Sequence, residues 1–202
     1  DPVSLYIPDF RPWQSEDGKR TKAIRIQDLL THTSGLPAYA PVAQIQQAAG
    51  SPCPDALMQY IDTCQRGFEP QTDFRYSCLN FVTLQRIIET VSGQPLNQFA
   101  QEQLFNVLGM EHTGNLPCKQ DKKGRWVNTN LPQWLQNDGY HIIAPTEQQP
   151  DGQVLRGQVH DPLARILNGG ISGNAGVFSC AEDIALLCAA LQNGGEWNGR
   201  RI

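Results

Sequence analysis

The residues best suited to chemistry form a triplet, Tyr76-Ser77-Cys78, at the mouth of the segment "FRYSCLNFVTLQRIIETVSG" (74–93). A tyrosine there either plugs a gap with its ring or transfers protons. A phenol titrating near pH 10 is a feeble base at neutral pH unless neighbouring cations stabilise its phenolate. The adjacent thiol would need a depressed pKa and an oriented base, and the sequence displays neither. A second cluster is the glycine-rich "GGISGNAG" (169–176), which holds Ser172 and Asn174. It fails the nucleophile-elbow pattern G-x-S-x-G, because the residue two after Ser172 is Asn174. It also lacks the Lys-Ser/Thr that closes a phosphate-binding loop, so it reads as a tight turn. His160-Asp161 is an adjacent pair whose side chains diverge in a strand. The other histidines, His32, His112 and His141, show no H-x-x-x-H spacing. Spacing alone assigns catalysis to none of these groups.

The elements that must position them belong to a globular chain. Across 202 residues, 40% are hydrophobic and 18% charged, which is ordered rather than disordered composition. A chain of this size buries about 70% of its unfolded surface, so it needs no metal or disulfide staple. The net charge is −4, and the longest basic cluster, Lys119 to Arg125, is interrupted by Asp121 and Gly124. Nucleic acid is therefore not an expected partner. No apolar run approaches the ~18 residues of a membrane span. The six cysteines (53, 64, 78, 118, 180, 188) contain no C-x-x-C pair, which disfavours zinc ribbons and thioredoxin-like motifs. Cys180 and Cys188 share one predicted helix and cannot bridge within it. Cys53 and Cys64 pair only if both ends of the helix between them face each other. Most of the six read as buried thiols.

The spacing predicts a short helix in "IRIQDLLTHTSGLP" with His32 in its last turn and Gly35 as its stop. A second helix in "SPCPDALMQYIDTCQRG" has Pro54 at its first position, Asp55 on the dipole, and Leu57, Met58 and Ile61 on one face. In the helix after the triplet, Phe81, Leu84, Ile88 and Val91 make an apolar stripe ended by Gly93. Pro95 opens the next helix, with Leu96, Phe99, Ala100 and Leu104 on its face and Gly109 beyond; two antiparallel helices are expected. Periodicity fades over 113–161, which reads as a long irregular stretch. Ser179 and Glu182 form a capping box for "CAEDIALLCAALQNGG", whose Ile184, Leu187, Cys188 and Leu191 face inward. "WNGRRI" carries an Asn-Gly turn and looks like a strand being started.

Three phrases, "IRIQDLLTHTSGLP", "FRYSCLNFVTLQRIIETVSGQPLNQFAQEQLFNVLGMEHTG" and "GQVHDPLARILNGGISGNAGVFSCAEDIALL", resemble in order the beta-lactamase-related serine hydrolases. That group comprises class C beta-lactamases, D-alanyl-D-alanine carboxypeptidases, related esterases and penicillin-binding-protein-like hydrolases. The resemblance implies an α+β fold, an antiparallel sheet with helices on one face and a helical subdomain beside it. Residues 1–202 would be one partial domain of this kind, mainly its helical part with little of the sheet. Helices of such a piece would present apolar faces meant for the sheet.

In the family, a serine from an S-x-x-K helix forms an acyl-enzyme, a tyrosine of a Tyr-x-Asn or Tyr-Ser-Asp triplet relays protons, and a Lys-Thr-Gly or His-Thr-Gly strand borders the site. Tyr76 matches that tyrosine. Cys78 stands at the Asn/Asp position, a departure, since a thiol is the poorer hydrogen-bond partner. Ser77, Cys78 and Asn174 are implied to line the substrate. None of the chain's serines is followed three residues later by lysine. The nucleophilic serine, its lysine and the closing strand are thus expected outside these 202 residues, in N- and C-terminal segments of the same domain. The resemblance implies no cofactor and no metal, a small-molecule or peptidoglycan-like substrate, and a bacterial periplasmic or envelope setting. Two alternatives stay open: a non-catalytic binding or sensor domain on the same fold, and a Cys78 nucleophile with His160 as base.

Overall fold

The computed structural model describes residues 1–136 and 142–202; His141 lies outside the described residues. The architecture is α+β, and the chain packs as two compact units: Asp1–Gly93 with Ile166–Asn168 and Ser172–Asn174, and the remainder from Gln94 on.

In the first unit a 3-10 turn (Val3–Leu5) leads to an antiparallel pair, β1 (Trp13–Gln14) and β2 (Thr21–Lys22). Helix α1 (Ile26–Leu30) is started by the buried Asp28, whose Oδ2 accepts the Arg25 N–H at 2.8 Å. The helix stops earlier than the sequence suggests. Thr31 closes it by bonding the Gln27 carbonyl through both N–H and Oγ1, and His32 stands beyond it at φ +58°. Helix α2 (Val42–Ala49) has no buried residue. Helix α3 (Pro54–Thr63) follows expectation: Pro54 sits at its start, Asp55 in its first turn, and Leu57, Met58 and Ile61 are buried.

Helix α4 (Cys78–Ser92) ends at Gly93 in the left-handed conformation, as the pattern requires. Its buried face is not the predicted stripe. Leu79, Asn80, Val82, Thr83, Gln85 and Ile87 face inward, while Val91 is 66% exposed and Phe81, Leu84 and Ile88 are half-buried. The polar residues tolerate burial because each has a partner: Ser34 Oγ for Asn80, the Leu79 carbonyl for Thr83, the Gly173 N–H for Gln85. The Arg66 guanidinium is buried over the Phe10 ring at 4.7 Å and donates to the carbonyls of Ile61, Cys64 and Arg11. Burial pushes its pKa down and that of the neighbouring Cys64 thiol up.

In the second unit α5 (Leu96–Ala100) follows Pro95 and runs through a π-helical stretch, Gln101–Phe105, into α6 (Asn106–Leu108). Gly109 at φ +75° ends it. After them come β3 (Gly114–Asn115), β4 (Cys118–Gln120), β5 (Trp126–Asn128), α7 (Gln133–Gln136), β6 (Pro145–Gln148), β7 (Val154–Arg156), β8 (Val177–Phe178), α8 (Ala181–Gln192), β9 (Glu196–Trp197) and β10 (Arg200–Arg201). The strands pair antiparallel as β3 with β8, β4 with β5, β6 with β7 and β9 with β10. The 113–161 stretch therefore carries two hairpins, with strands of three or four residues that are too short to display alternation. The final hairpin turns on Asn198 and Gly199, both at positive φ, as the Asn-Gly pair predicts.

One apolar cluster joins Phe105, Leu108, Met110 and Ala190, with Ala100, Leu104, Leu186 and Leu187 against it. Helix α8 differs from expectation in cap and face. Its N-cap is Cys180, one residue later than the expected Ser179, and no Ser179–Glu182 box forms. Asp183 is instead held by the His112 N–H and the Thr113 hydroxyl, at 2.8 and 2.6 Å. Those bonds turn Asp183 and Ala190 inward and leave Ile184, Cys188 and Leu191 exposed. All six cysteines are thiols; burial pushes the Cys118 pKa up to about 11. No helix among the described residues is long and apolar enough to cross a membrane.

Candidate active site around Tyr76

The triplet is held by the loop that follows α1. At its left-handed φ, His32 offers its carbonyl to the Arg75 N–H (3.0 Å) and its Nδ1 to the Ser77 N–H (3.2 Å). A backbone N–H can only donate, so Nδ1 is the acceptor and the imidazole proton sits on Nε2. The Asn80 amide nitrogen, 3.0 Å away, donates to the same Nδ1. Its Oδ1 accepts from Ser34 Oγ at 2.6 Å, and Ser34 in turn accepts the Leu36 N–H. Farther along the loop, Pro37 O accepts Ser77 Oγ at 2.6 Å and Ala38 O accepts the Cys78 N–H at 3.0 Å. Every backbone step from Arg75 to Cys78 except Tyr76 is thus tied to residues 32–38.

Tyr76 is different. Its side chain is 60% exposed, and its ring lies 4.5 Å from the His32 ring at a 38° tilt. Phe81 packs on the same imidazole at 5.5 Å. The ring rests on the His32 imidazole and is mostly exposed.

The other sequence candidates divide. Cys78 is half-buried at the first position of α4. Ser77 is fully buried, and its hydroxyl donates to the Pro37 carbonyl. Asn174 is half-buried and accepts from Ser172 Oγ at 2.7 Å, in a turn docked on α4 through the Gly173–Gln85 bond. The imidazole touching the triplet is His32, whereas His160 lies 3.5 Å from Glu147 Oε2. Sequence reasoning missed the roles of His32, Ser34 and Asn80. The signal was present in part: Asn80 is a polar residue in the first turn of α4, and once buried it must find a partner.

The Beta-lactamase family model matches residues 1–201. The chain belongs to the beta-lactamase family. It is 32% identical over 197 residues to an Escherichia coli K12 protein named "Putative D-alanyl-D-alanine carboxypeptidase", covering 96% of this chain and 44% of that one. A Salmonella agona protein of the same name is 30% identical over the whole chain and is covered to 46%. This family member thus spans less than half the length of those curated relatives. Among solved structures, EstCE1, described as a hydrolase with promiscuous acyltransferase activity, aligns over the full chain and 53% of its own, with a TM-score of 0.61 and 24% identity. A beta-lactamase/D-alanine carboxypeptidase from Pseudomonas syringae aligns over 98% of this chain and 44% of its own, with a TM-score of 0.61 and 22% identity. At those identities the structures establish the fold.

Proposed function

We propose that these residues are the central part of a serine hydrolase that forms an acyl-enzyme on an amide or ester: a beta-lactam, a peptidoglycan stem peptide or a short ester. Family membership supports the reaction class, and the carboxypeptidase name of the relatives supports a peptide substrate. The observation that carries the assignment is Tyr76, exposed on a frame in which its neighbours are all hydrogen-bonded. In this reading the nucleophilic serine and its lysine come from an S-x-x-K helix, and the bordering Lys/His-Thr-Gly strand from a further segment, both outside these 202 residues.

The serine Oγ attacks the carbonyl carbon and its proton passes to the Tyr76 oxygen. When the tetrahedral intermediate collapses, Tyr76 returns that proton to the departing nitrogen or oxygen. Water then releases the acyl group by the same route. The phenolate needs a cation beside it, the role of the S-x-x-K lysine. Cys78 and Asn174 line the substrate. The open apolar stripe on α4, with Val91 66% exposed, suits a helix that further sheet structure covers.

The 202-residue chain alone is expected neither to hydrolyse a chromogenic cephalosporin or p-nitrophenyl ester nor to be labelled by a penicillin or fluorophosphonate probe. It lacks an activated serine. Stoichiometric labelling of any serine in it would overturn the proposal, and intact-mass spectrometry reads the result directly.

A further inference from the structure

We propose that His112, Cys180 and Asp183 form a binding site for a borderline-soft divalent cation of the zinc class, at the edge of a cavity of about 660 Å³ that His112 and Cys180 line. The site shares no residue with the hydrogen-bonded frame of Tyr76 and does not depend on the acyl-enzyme reading. One imidazole nitrogen, one sulfur and one carboxylate oxygen stand within 4.8 Å of one another. Donors of one tetrahedral zinc lie about 3.3–3.8 Å apart, as metal–ligand bonds of ~2.0–2.3 Å require. The exposed His112 side chain can rotate to shorten its separations from the other two donors.

The carboxylate donor is already held. Asp183 is 4% exposed, and its Oδ2 accepts the His112 N–H and Thr113 Oγ1; the Thr113 hydroxyl is also 2.7 Å from Ser179 Oγ. Hydrogen bonds of this kind fix a ligating carboxylate in natural metal sites. The same bond brings the His112 backbone onto the first turn of α8, and the Trp134 ring meets the imidazole edge-on at 5.9 Å. Cys180 supplies the third donor from the N-cap. Its backbone is extended (φ −124°, ψ 168°), yet the thiol makes no capping bond. That position ordinarily selects Ser, Thr, Asp or Asn, so a cysteine forgoes the cap.

A purely structural role accounts for Asp183, which ties the 112–113 loop to α8. It does not account for a histidine and a cysteine brought to the same point on the cavity wall. Three protein donors with one side open to a cavity is the arrangement of zinc sites that keep a position for water or substrate. A set containing thiolate and imidazole favours zinc-class ions over magnesium or calcium.

The test uses the full-length protein, stripped with a chelator and titrated with Co²⁺ as a spectroscopic stand-in. One equivalent is expected to produce a thiolate-to-cobalt charge-transfer band in the near ultraviolet, displaced by Zn²⁺ and not by Mg²⁺. Cys180→Ser should abolish the band while keeping α8, since serine is the better N-cap. His112→Ala should weaken Co²⁺ binding at least ~10-fold. Cys188→Ser, at an exposed thiol on the same helix, should leave both unchanged. Absence of a thiolate band in the wild type, or a band that survives Cys180→Ser, would overturn the assignment.

Discussion

Tyr76→Phe in the full-length protein is expected to lower the acylation rate about 100-fold or more, the scale of a lost general acid–base group, with little change in melting temperature. The two readouts separate because of where the side chain sits. The phenylalanine ring keeps the stacking on His32 at 4.5 Å, and the ring is mostly outside the core. The tyrosine hydroxyl makes no hydrogen bond among the described residues, so its removal strands no buried partner. Stopped-flow acylation with a reporter substrate, paired with a thermal melt, measures both quantities. Full activity in the phenylalanine variant would return Tyr76 to the status of packing residue.

The second large effect is on stability and reaches the site through the loop. Gly35 adopts φ +78°, and a Cβ there would stand 2.4 Å from the Phe68 carbonyl oxygen, a backbone atom that does not swing aside. The Gly67 N–H donates to the Gly35 carbonyl at 2.7 Å and holds the two segments together. Gly35→Ala therefore combines a left-handed penalty of about 1–2 kcal/mol with overpacking of about 1–3 kcal/mol, or about 3 kcal/mol in total. Gly93 shares the left-handed φ (+69°) but has nothing within 4 Å of an added Cβ. Gly93→Ala should cost only about 1 kcal/mol. Urea unfolding of the two variants checks the difference. Because Gly35 lies between Ser34 and Leu36 in the loop that fixes the triplet, Gly35→Ala should also lose activity, and Gly93→Ala should not. Equal destabilisation by the two would mean that the close approach to Phe68 carries no weight.

What could be read from the sequence was decided by distance along the chain. Helix α3 was legible because Pro54, Asp55 and the Leu57–Met58–Ile61 face lie within ten residues of one another. The turn of the final hairpin was legible from Asn198-Gly199 alone. The faces of α4 and α8 were not. Burying Asn80 and Gln85 requires Ser34 and Gly173, which are 46 and 88 positions away, and hydrophobic periodicity does not register such partners. Asp183 of α8 is likewise turned inward by Thr113. Strands of two to four residues left no alternation to find in 113–161. At the site, resemblance picked out Tyr76 and Cys78, while the apparatus that holds them stayed hidden. His32 reads as the end of a helix until its positive φ sets Nδ1 against the Ser77 N–H.

We propose that Tyr76 serves a nucleophile carried outside these residues, and peptide mapping of the full-length protein after trapping with a penicillin or a fluorophosphonate locates that nucleophile. The predicted result is one stoichiometric acyl or phosphonyl adduct on the serine of an S-x-x-K segment outside these 202 residues, forming far more slowly in Tyr76→Phe. An adduct on a serine or cysteine of this chain, or no adduct with either probe, would contradict it.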